Sequence, residues 1–326
     1  MILSIISLSL VTLTALSLVG CATDGYGQKT APPGSNHVNE ARYFLDQDQI
    51  DSALVAFGLA IKENSRLSSA HMGMGHIYRQ QGNYLLASKS YKITTDLEPN
   101  NFDACFHLGL CYQLGGKIDE AVTTFLRAVV IRPDSYDANE HLGSALLQAR
   151  HLEEAVPYLQ RATKLQPHSH PAWANLAVAY NQLKDYEKAV DAFRQANELS
   201  DNQTPLLLGY ANVLIKLKRY PQAANVLNTV LRQESNIVAY ERLGYCQWKQ
   251  RHYVQALDNF QAALHIIPND IASLNGKGVC LMTIFIQGGH KDRDLSNQAI
   301  GAWQQSVKNK PDQPRIIDLI ARYQRP

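Results

Sequence analysis

Cysteine and histidine are the residue types in this chain that could ligate a metal or carry nucleophilic or redox chemistry, and their spacing argues against both. Cys21 apart, the cysteines are Cys105, Cys111, Cys246 and Cys280, with no Cys-x-x-Cys pair among them. Such a pair is what a redox or thiolate-metal centre is built on. His168 and His170 flank Ser169 just before Pro171, and His290 stands near Asp292 and Asp294. Neither group has the ligand spacing of a zinc site, and loop histidines are ordinarily solvated. There is no HExxH, no GxSxG and no phosphate loop; Gly73, Gly75 and Gly82 are too loosely spaced to form one. The sequence therefore assigns no catalytic residue, no metal ligand and no cofactor, and points away from an enzyme.

The elements around these residues are short and alike. From Phe102 to Ser135 the chain reads as two apolar-periodic segments, Asp103 to Leu114 and Ile118 to Ile131, separated by Gly115-Gly116-Lys117. Small Gly109 and Ala121 let two antiparallel helices approach, and Tyr112 and Phe125 fill the space beside that contact. Pro133 has no backbone N–H and stops the second helix. One such hairpin cannot bury its apolar faces alone, so neighbours are required.

They recur every 34 residues. Pro99, Pro133 and Pro167 mark successive ends, with Asp201 in the next place. Gly75, Gly109 and Gly143 recur likewise, with Ala177 and Ala211 as small substitutes, and Ala87, Ala121, Ala155, Ala189 and Ala223 form an unbroken series. These residues resemble the tetratricopeptide repeat: Trp173, Leu176, Ala177, Tyr180, Ala189, Phe193 and Ala196 stand at its positions 4, 7, 8, 11, 20, 24 and 27 in the repeat from His170 to Gln203. The resemblance runs in register over most of the chain. It implies an all-α, right-handed superhelical solenoid of about eight helix-turn-helix hairpins.

The expected organisation is a signal peptide at 1–20, a tether at 21–33, a repeat domain at 34–313 and a capping helix at 314–326. The repeats run 34–67, 68–101, 102–135, 136–169, 170–203, 204–236, 237–270 and 271–313. The first is degenerate, as expected where one face lacks a neighbour. In the last, 21 residues separate Gly278 from Ala299, against 12 between Gly109 and Ala121. The surplus of 9 is expected as a polar insertion at the inter-helix turn, around 287–294. Arg315 to Arg325 places Ile316, Leu319, Ile320 and Tyr323 on one face, which suits a cap on the end of the stack. Cys111, Cys246 and Cys280 share position 10 of their repeats, and that recurrence reads as core packing by a small, weakly polar side chain.

Met1 to Val19 carries no charge and ends in Leu18-Val19-Gly20-Cys21, which resembles the lipobox of bacterial lipoproteins. That resemblance implies diacylglycerol on the Cys21 thiol and cleavage after the small Gly20, so that acyl chains anchor the mature protein. Ala22, rather than Asp, follows the cysteine, which by the same resemblance implies the outer membrane, facing the periplasm. No Lys or Arg precedes the apolar run, where signal peptides carry one. The alternative is an uncleaved anchor in the inner membrane, since about 20 apolar residues span a bilayer. Thr23 to Ser35 is rich in Gly, Pro, Thr and Ser and reads as a flexible tether.

What remains for function is surface. The net charge of +2 gives no basic excess for nucleic acid. The resemblance implies that the first helices line a concave groove, with positions 2, 5, 9, 12 and 13 facing inward. That selects His76, Gln80, Phe106, Gln148, Gln182, Asn212, Lys216, Tyr245, Trp248 and Lys249 as a groove for a protein or peptide partner. Amides in such a row can meet an extended backbone. The alternative at each position is an ordinary solvated helix face. The family's carboxylate clamp is not reproduced. Lipidated repeat proteins of this size include tight-adherence pilus assembly lipoproteins and type IV pilotins, so the expected function is a non-catalytic adaptor in an envelope assembly. A self-associating structural protein and a substrate-presenting subunit of an envelope enzyme are the alternatives.

Overall fold

The computed structural model describes residues 31–324. The apolar N-terminal segment, Cys21 and most of the tether lie outside the described residues. Seventeen helices occupy the described part, as eight hairpins and a terminal helix. The first four hairpins are α1 (Ser35–Asp46) with α2 (Ile50–Glu63), α3 (Ser68–Gln80) with α4 (Tyr84–Leu97), α5 (Phe102–Leu114) with α6 (Ile118–Ile131), and α7 (Tyr136–Gln148) with α8 (Leu152–Leu165). The next three are α9 (His170–Gln182) with α10 (Tyr186–Glu198), α11 (Thr204–Lys216) with α12 (Tyr220–Gln233), and α13 (Ile237–Lys249) with α14 (Tyr253–Ile266). The eighth is α15 (Ile271–Gln287) with α16 (Arg293–Asn309), and α17 (Pro314–Tyr323) closes the chain. The fold is an all-α solenoid.

Local chemistry sets the helix ends. Asn101, Ser135, Asn236 and Asp270 each accept a backbone N–H from the third residue on, at 2.7–3.2 Å, and so cap the first helices of their hairpins. Inside each hairpin the turn needs one left-handed residue. Gly82 and Gly116 supply it at φ 73° and 75°, but Arg150, Lys184, Lys218 and Arg251 adopt it too, at 59–66°. Packing of the two helices holds these side-chain-bearing residues where a free chain would disfavour them. Between hairpins, Arg127 and Arg161 donate to the carbonyl oxygens of Pro99 and Pro133, the residues that ended the preceding helices.

The core repeats one contact. Ala53, Ala87, Ala121, Ala155, Ala189, Ala223, Ala256 and Ala299 are fully buried at the hairpin crossing. One turn on, the second helices bury Phe57, Tyr91, Phe125, Leu159, Phe193, Leu227, Phe260 and Trp303. Each ring or branched side chain lies against the small residue of its own first helix. A methyl group at Gly109 would stand 2.7 Å from the Phe125 ring, and one at Gly278 2.3 Å from the Trp303 indole nitrogen. The same large side chain also meets the first helix of the next hairpin. There Gly73, Gly209 and Gly276 abut Phe57, Phe193 and Phe260, whereas His107 and His141 stack on Tyr91 and Phe125. These five wedges thus dock the following hairpin as well as filling their own.

The last hairpin does not carry a loop insertion. Four of the nine extra residues lengthen α15, two lengthen the turn, and three start α16 early, so both helices gain about a turn. Apolar Ile284, Phe285 and Ile286 continue the helical run that the polar residues after Gln287 obscure. Asp292 caps α16 by accepting the Asp294 N–H at 3.1 Å, and His290 takes φ 64° with its ring edge-on to Phe285. α17 lays Ile316, Leu319, Ile320 and Tyr323 over α15 and α16. The four cysteines from Cys105 to Cys280 are buried and free, and burial pushes the thiols of Cys246 and Cys280 up to about 12. A thiol that resists ionisation serves packing rather than attack.

The wedge contact makes a test of opposite signs. Gly109→Ala should destabilise the array by about 1–3 kcal/mol, because the fully buried Phe125 cannot retreat. Gly58→Ala, where an added methyl meets nothing within 4 Å, should stabilise by about 0.5–1 kcal/mol through helix propensity. Urea unfolding, with amide exchange of α5 and α6 as the local readout, checks both. Stabilisation by both changes would dismiss the wedge as the limiting contact.

Candidate functional site

Curvature decides which helices form the inner face. From α5 to α15, each odd-numbered helix touches the next odd-numbered one across the intervening hairpin, so these helices sit on the crowded side of the stack. Side chains projecting from them form a strip running along the array, and its chemistry changes along the way.

At the N-terminal end the strip is aromatic and imidazole-lined. The Tyr91 hydroxyl and His76 Nδ1 are hydrogen-bonded at 3.0 Å, the His76 ring stands edge-on to His107 at 5.0 Å, and His107 stacks on Tyr91 at 5.5 Å. Phe106 contacts His141 edge-on at 5.4 Å, and His141 stacks on Phe125 at 5.5 Å. Burial, then the nearby positive ends of His76 and Arg79, push His107 down to about 4; burial also lowers His76 and pushes Tyr91 up to about 12. These groups are neutral at pH 7. His107 Nδ1 and Arg79 Nε are buried without a partner.

The middle is amide-rich. Asn175 donates to Glu140 at 2.6 Å and Gln113 to the Ser144 hydroxyl at 3.4 Å. Gln80, Gln148 and Gln182 are exposed at the ends of α3, α7 and α9, and Asn212 is half-buried on α11. No side-chain contact draws these four together, so they form a row rather than a cluster.

The C-terminal part is a true cluster. Lys249 places its ammonium 4.8 Å from the Trp248 ring centre and 5.4 Å from that of Tyr245, and Lys216 is exposed at the end of α11. Glu241, Tyr245 and Trp248 of α13 face Ala272, Asn275, Gly276 and Val279 of α15 across a cleft of 340 Å³ floored by Phe260. Burial, then a hydrogen bond with Asp270 and its charge, push the Glu241 carboxyl up to about 7. Burial alone would raise Asp270 too, but the Ser273 N–H and the bond from Glu241 hold it below the usual carboxylate range. The two acids therefore share a proton, with Glu241 as donor. Arg242, next to Glu241 in sequence, spends a guanidinium N–H on the Leu208 carbonyl at 2.7 Å.

Of the ten groove residues expected from the sequence, Tyr245, Trp248 and Lys249 are brought together, and His76 and Phe106 enter the imidazole cluster. His107, His141, Glu241, Asp270 and Asn275 were missed. Three of these stand one step off the inward positions or in a cap, while Glu241 and Asn275, both at position 5, look like ordinary solvated helical residues. A larger cleft of 640 Å³ at the α17 end, lined by His290, Arg293 and Arg322, has mostly polar, open walls. Among the described residues no three potential ligands gather as a metal site, and no helix is long and apolar enough to cross a membrane.

The family described as the cilia and flagella-associated protein 70 C-terminal domain, a tetratricopeptide-repeat family, matches residues 40–273. Comparison with curated proteins finds no match. Among solved structures, the chain is similar to YrrB, described as a tetratricopeptide-repeat protein with an unusual peptide-binding site, at 22% identity and TM-score 0.50, over 52% of this chain and 87% of that one. It is similar to pilF of Pseudomonas aeruginosa at 20% identity and TM-score 0.52, over 63% and 94% of the two chains. A tetratricopeptide-repeat protein from Parabacteroides merdae matches at 15% identity and TM-score 0.52, over 79% and 99%. At these identities the likeness concerns the fold.

The shared proton has a signature in stability. The fold favours neutral Glu241, so that contribution is complete below the ordinary carboxyl range and is lost as pH rises through about 7. The lowered Asp270 acts oppositely, but only in more acid solution. Glu241→Gln keeps a donor toward Asp270. It should leave the thermal midpoint nearly unchanged at pH 5 and raise it at pH 8. An equal shift at both pH values would count against proton sharing.

Proposed function

The chain belongs to the tetratricopeptide-repeat family of the cilia and flagella-associated protein 70 C-terminal domain, and on that premise we propose that it is a non-catalytic adaptor holding an extended segment of a partner protein along its inner face. The observation that carries this reading is the continuous strip of rings, amides and cations on the odd-numbered helices. Packed helices stand about 8–10 Å apart and an extended chain advances about 3.3 Å per residue. Each hairpin therefore addresses roughly three residues of a bound strand. Exposed Gln148 and Gln182 offer both donors and acceptors to a backbone, and Lys216 and Lys249 add positive charge at one end. The peptide-binding site in the description of YrrB supports the same use of the fold.

We further propose that the adaptor works at the cell envelope, held to the outer membrane on its periplasmic side by acyl chains on Cys21 and the tether behind it. Assembly of a pilus or secretion complex is the setting this suits. Support comes from the Leu18-Val19-Gly20-Cys21 sequence and from the likeness of the repeat array to pilF.

Crosslinked pull-down from membranes tests the groove. The native chain should recover a specific partner, and Lys216→Glu combined with Lys249→Glu should lose it while remaining folded. Recovery of the same partner by the double variant would move binding to the other face, the long hairpin or the cap. Metabolic labelling with palmitate tests the anchor. The native chain should incorporate label and run shorter by the 1–20 segment, and Cys21→Ser should do neither. Identical behaviour of the two chains would instead support an uncleaved N-terminal anchor.

A further inference from the structure

The cleft between α13 and α15 has walls that specify what enters it. In the third and fourth hairpins His107 and His141 cover the rings of Tyr91 and Phe125. In the eighth hairpin the equivalent residue is Gly276, which puts no side chain over Phe260, so that this largely buried ring reaches the cleft as its floor. Trp248, Tyr245, Ala272 and Val279 make the sides apolar. At one end Glu241 and Asp270 form an acid pair, and among the described residues no Lys, Arg or His nitrogen lies within 4.0 Å of either. The nearby Arg242 is engaged with the Leu208 carbonyl. About 12 Å away, two turns along α13, Lys249 covers the faces of Trp248 and Tyr245. One end of the cleft thus asks for a cation, and the other rejects one.

Two polar atoms in the walls have no partner. Trp248 Nε1 is an unpaired donor and Asn275 Oδ1 an unpaired acceptor, both closed to water. Asn275 is held by its Nδ2 donating to Gln313 at 2.8 Å, which leaves the amide oxygen without a partner. A peptide backbone carries the complementary carbonyl and N–H on neighbouring residues, and small side-chain rotations would expose both atoms to it.

We propose that this cleft is the recognition subsite for an apolar–basic pair of residues in an extended peptide. The apolar side chain enters over Phe260 between Trp248 and Val279, and the adjoining lysine or arginine lies against Glu241 and Asp270. The assignment rests on the reading of the inner face as a peptide groove and adds the chemistry of its occupant. Arrival of the cation converts the proton-sharing pair into two carboxylates, and the proton leaves to solvent. The paired charges then lie in a half-buried setting, where a charge-assisted hydrogen bond is stronger than at an open surface.

The test uses the full chain in detergent and a displayed library of random 12-residue peptides. Selected sequences are synthesised, and their affinities are measured by fluorescence anisotropy. The expected binders carry a large apolar residue beside Lys or Arg, and bind about tenfold or more weakly to Ala272→Trp, which fills the cleft from an exposed rim position. Glu241→Lys, the second variant, should weaken them by a similar factor, and Val130→Gln, exposed on the even-numbered α6 away from the strip, should leave them unchanged. Binders that lack a basic residue, or that ignore both cleft variants, overturn the assignment while leaving the groove reading intact. Failure of any peptide to bind the native chain overturns both.

Discussion

One side chain per hairpin, the large residue in the middle of the second helix, holds this molecule together. Phe57, Tyr91, Phe125, Leu159, Phe193, Leu227, Phe260 and Trp303 are each buried within their hairpins, and Phe57, Tyr91, Phe125, Phe193 and Phe260 also abut the first helix of the next one. Burying such a side chain contributes about 1.5–3 kcal/mol, and those five do so at two junctions at once. In a stack where every unit contacts only its neighbours, stability is a sum of unit and interface contributions. Here both kinds pass through the same atom group. That coupling leaves little freedom in the spacing of the hairpins, and the inner strip inherits its regularity from it.

The wedge also explains why the inner face varies. The residue that receives the wedge from the preceding hairpin is Gly73, His107, His141, Asn175, Gly209, Arg242 and Gly276 in turn. A glycine puts no side chain over the ring, and at Phe260 the ring then floors a cleft, while an imidazole stacks on it at Tyr91 and Phe125. Burial takes the charge from His107, which seals Tyr91, and from its neighbour His76. The Phe260 site acquires depth and an acid pair. One structural position thus sets both relief and charge along the groove.

That position was hard to read from the chain. The 34-residue period, the buried alanines and the wedge residues were legible because each is one residue type, or nearly so, repeated in register. The receiving position changes from Gly to His to Arg and has no period to detect. Glu241 and Asp270 lie 29 residues apart, one on a helix face and the other in an N-cap, and only the docking of α15 on α13 brings them together. The long eighth hairpin was misread as a loop insertion for a related reason. Polar residues from Gln287 to Asp294 drew attention from Ile284, Phe285 and Ile286, which carry α15 a turn further. Tyr245, Trp248 and Lys249 were selected because the resemblance to the repeat family implies which positions face inward, and the structure brings the three together.

The gradient along the strip has a consequence for how the groove can discriminate. A surface of neutral rings and amides tolerates many sequences, since a stacking face or an amide accepts most backbones on similar terms. A half-buried acid pair does not, because a neutral or acidic neighbour leaves its charge uncompensated. Selectivity should therefore be concentrated where the wedge floors the cleft, and affinity spread over the hairpins before it. An adaptor built this way can hold a long, variable segment while checking its identity at a single place. Lengthening α15 and α16 and packing α17 beside them supports the wall that carries Asn275 and Val279, so the checkpoint sits beside the capped end of the array rather than in its middle.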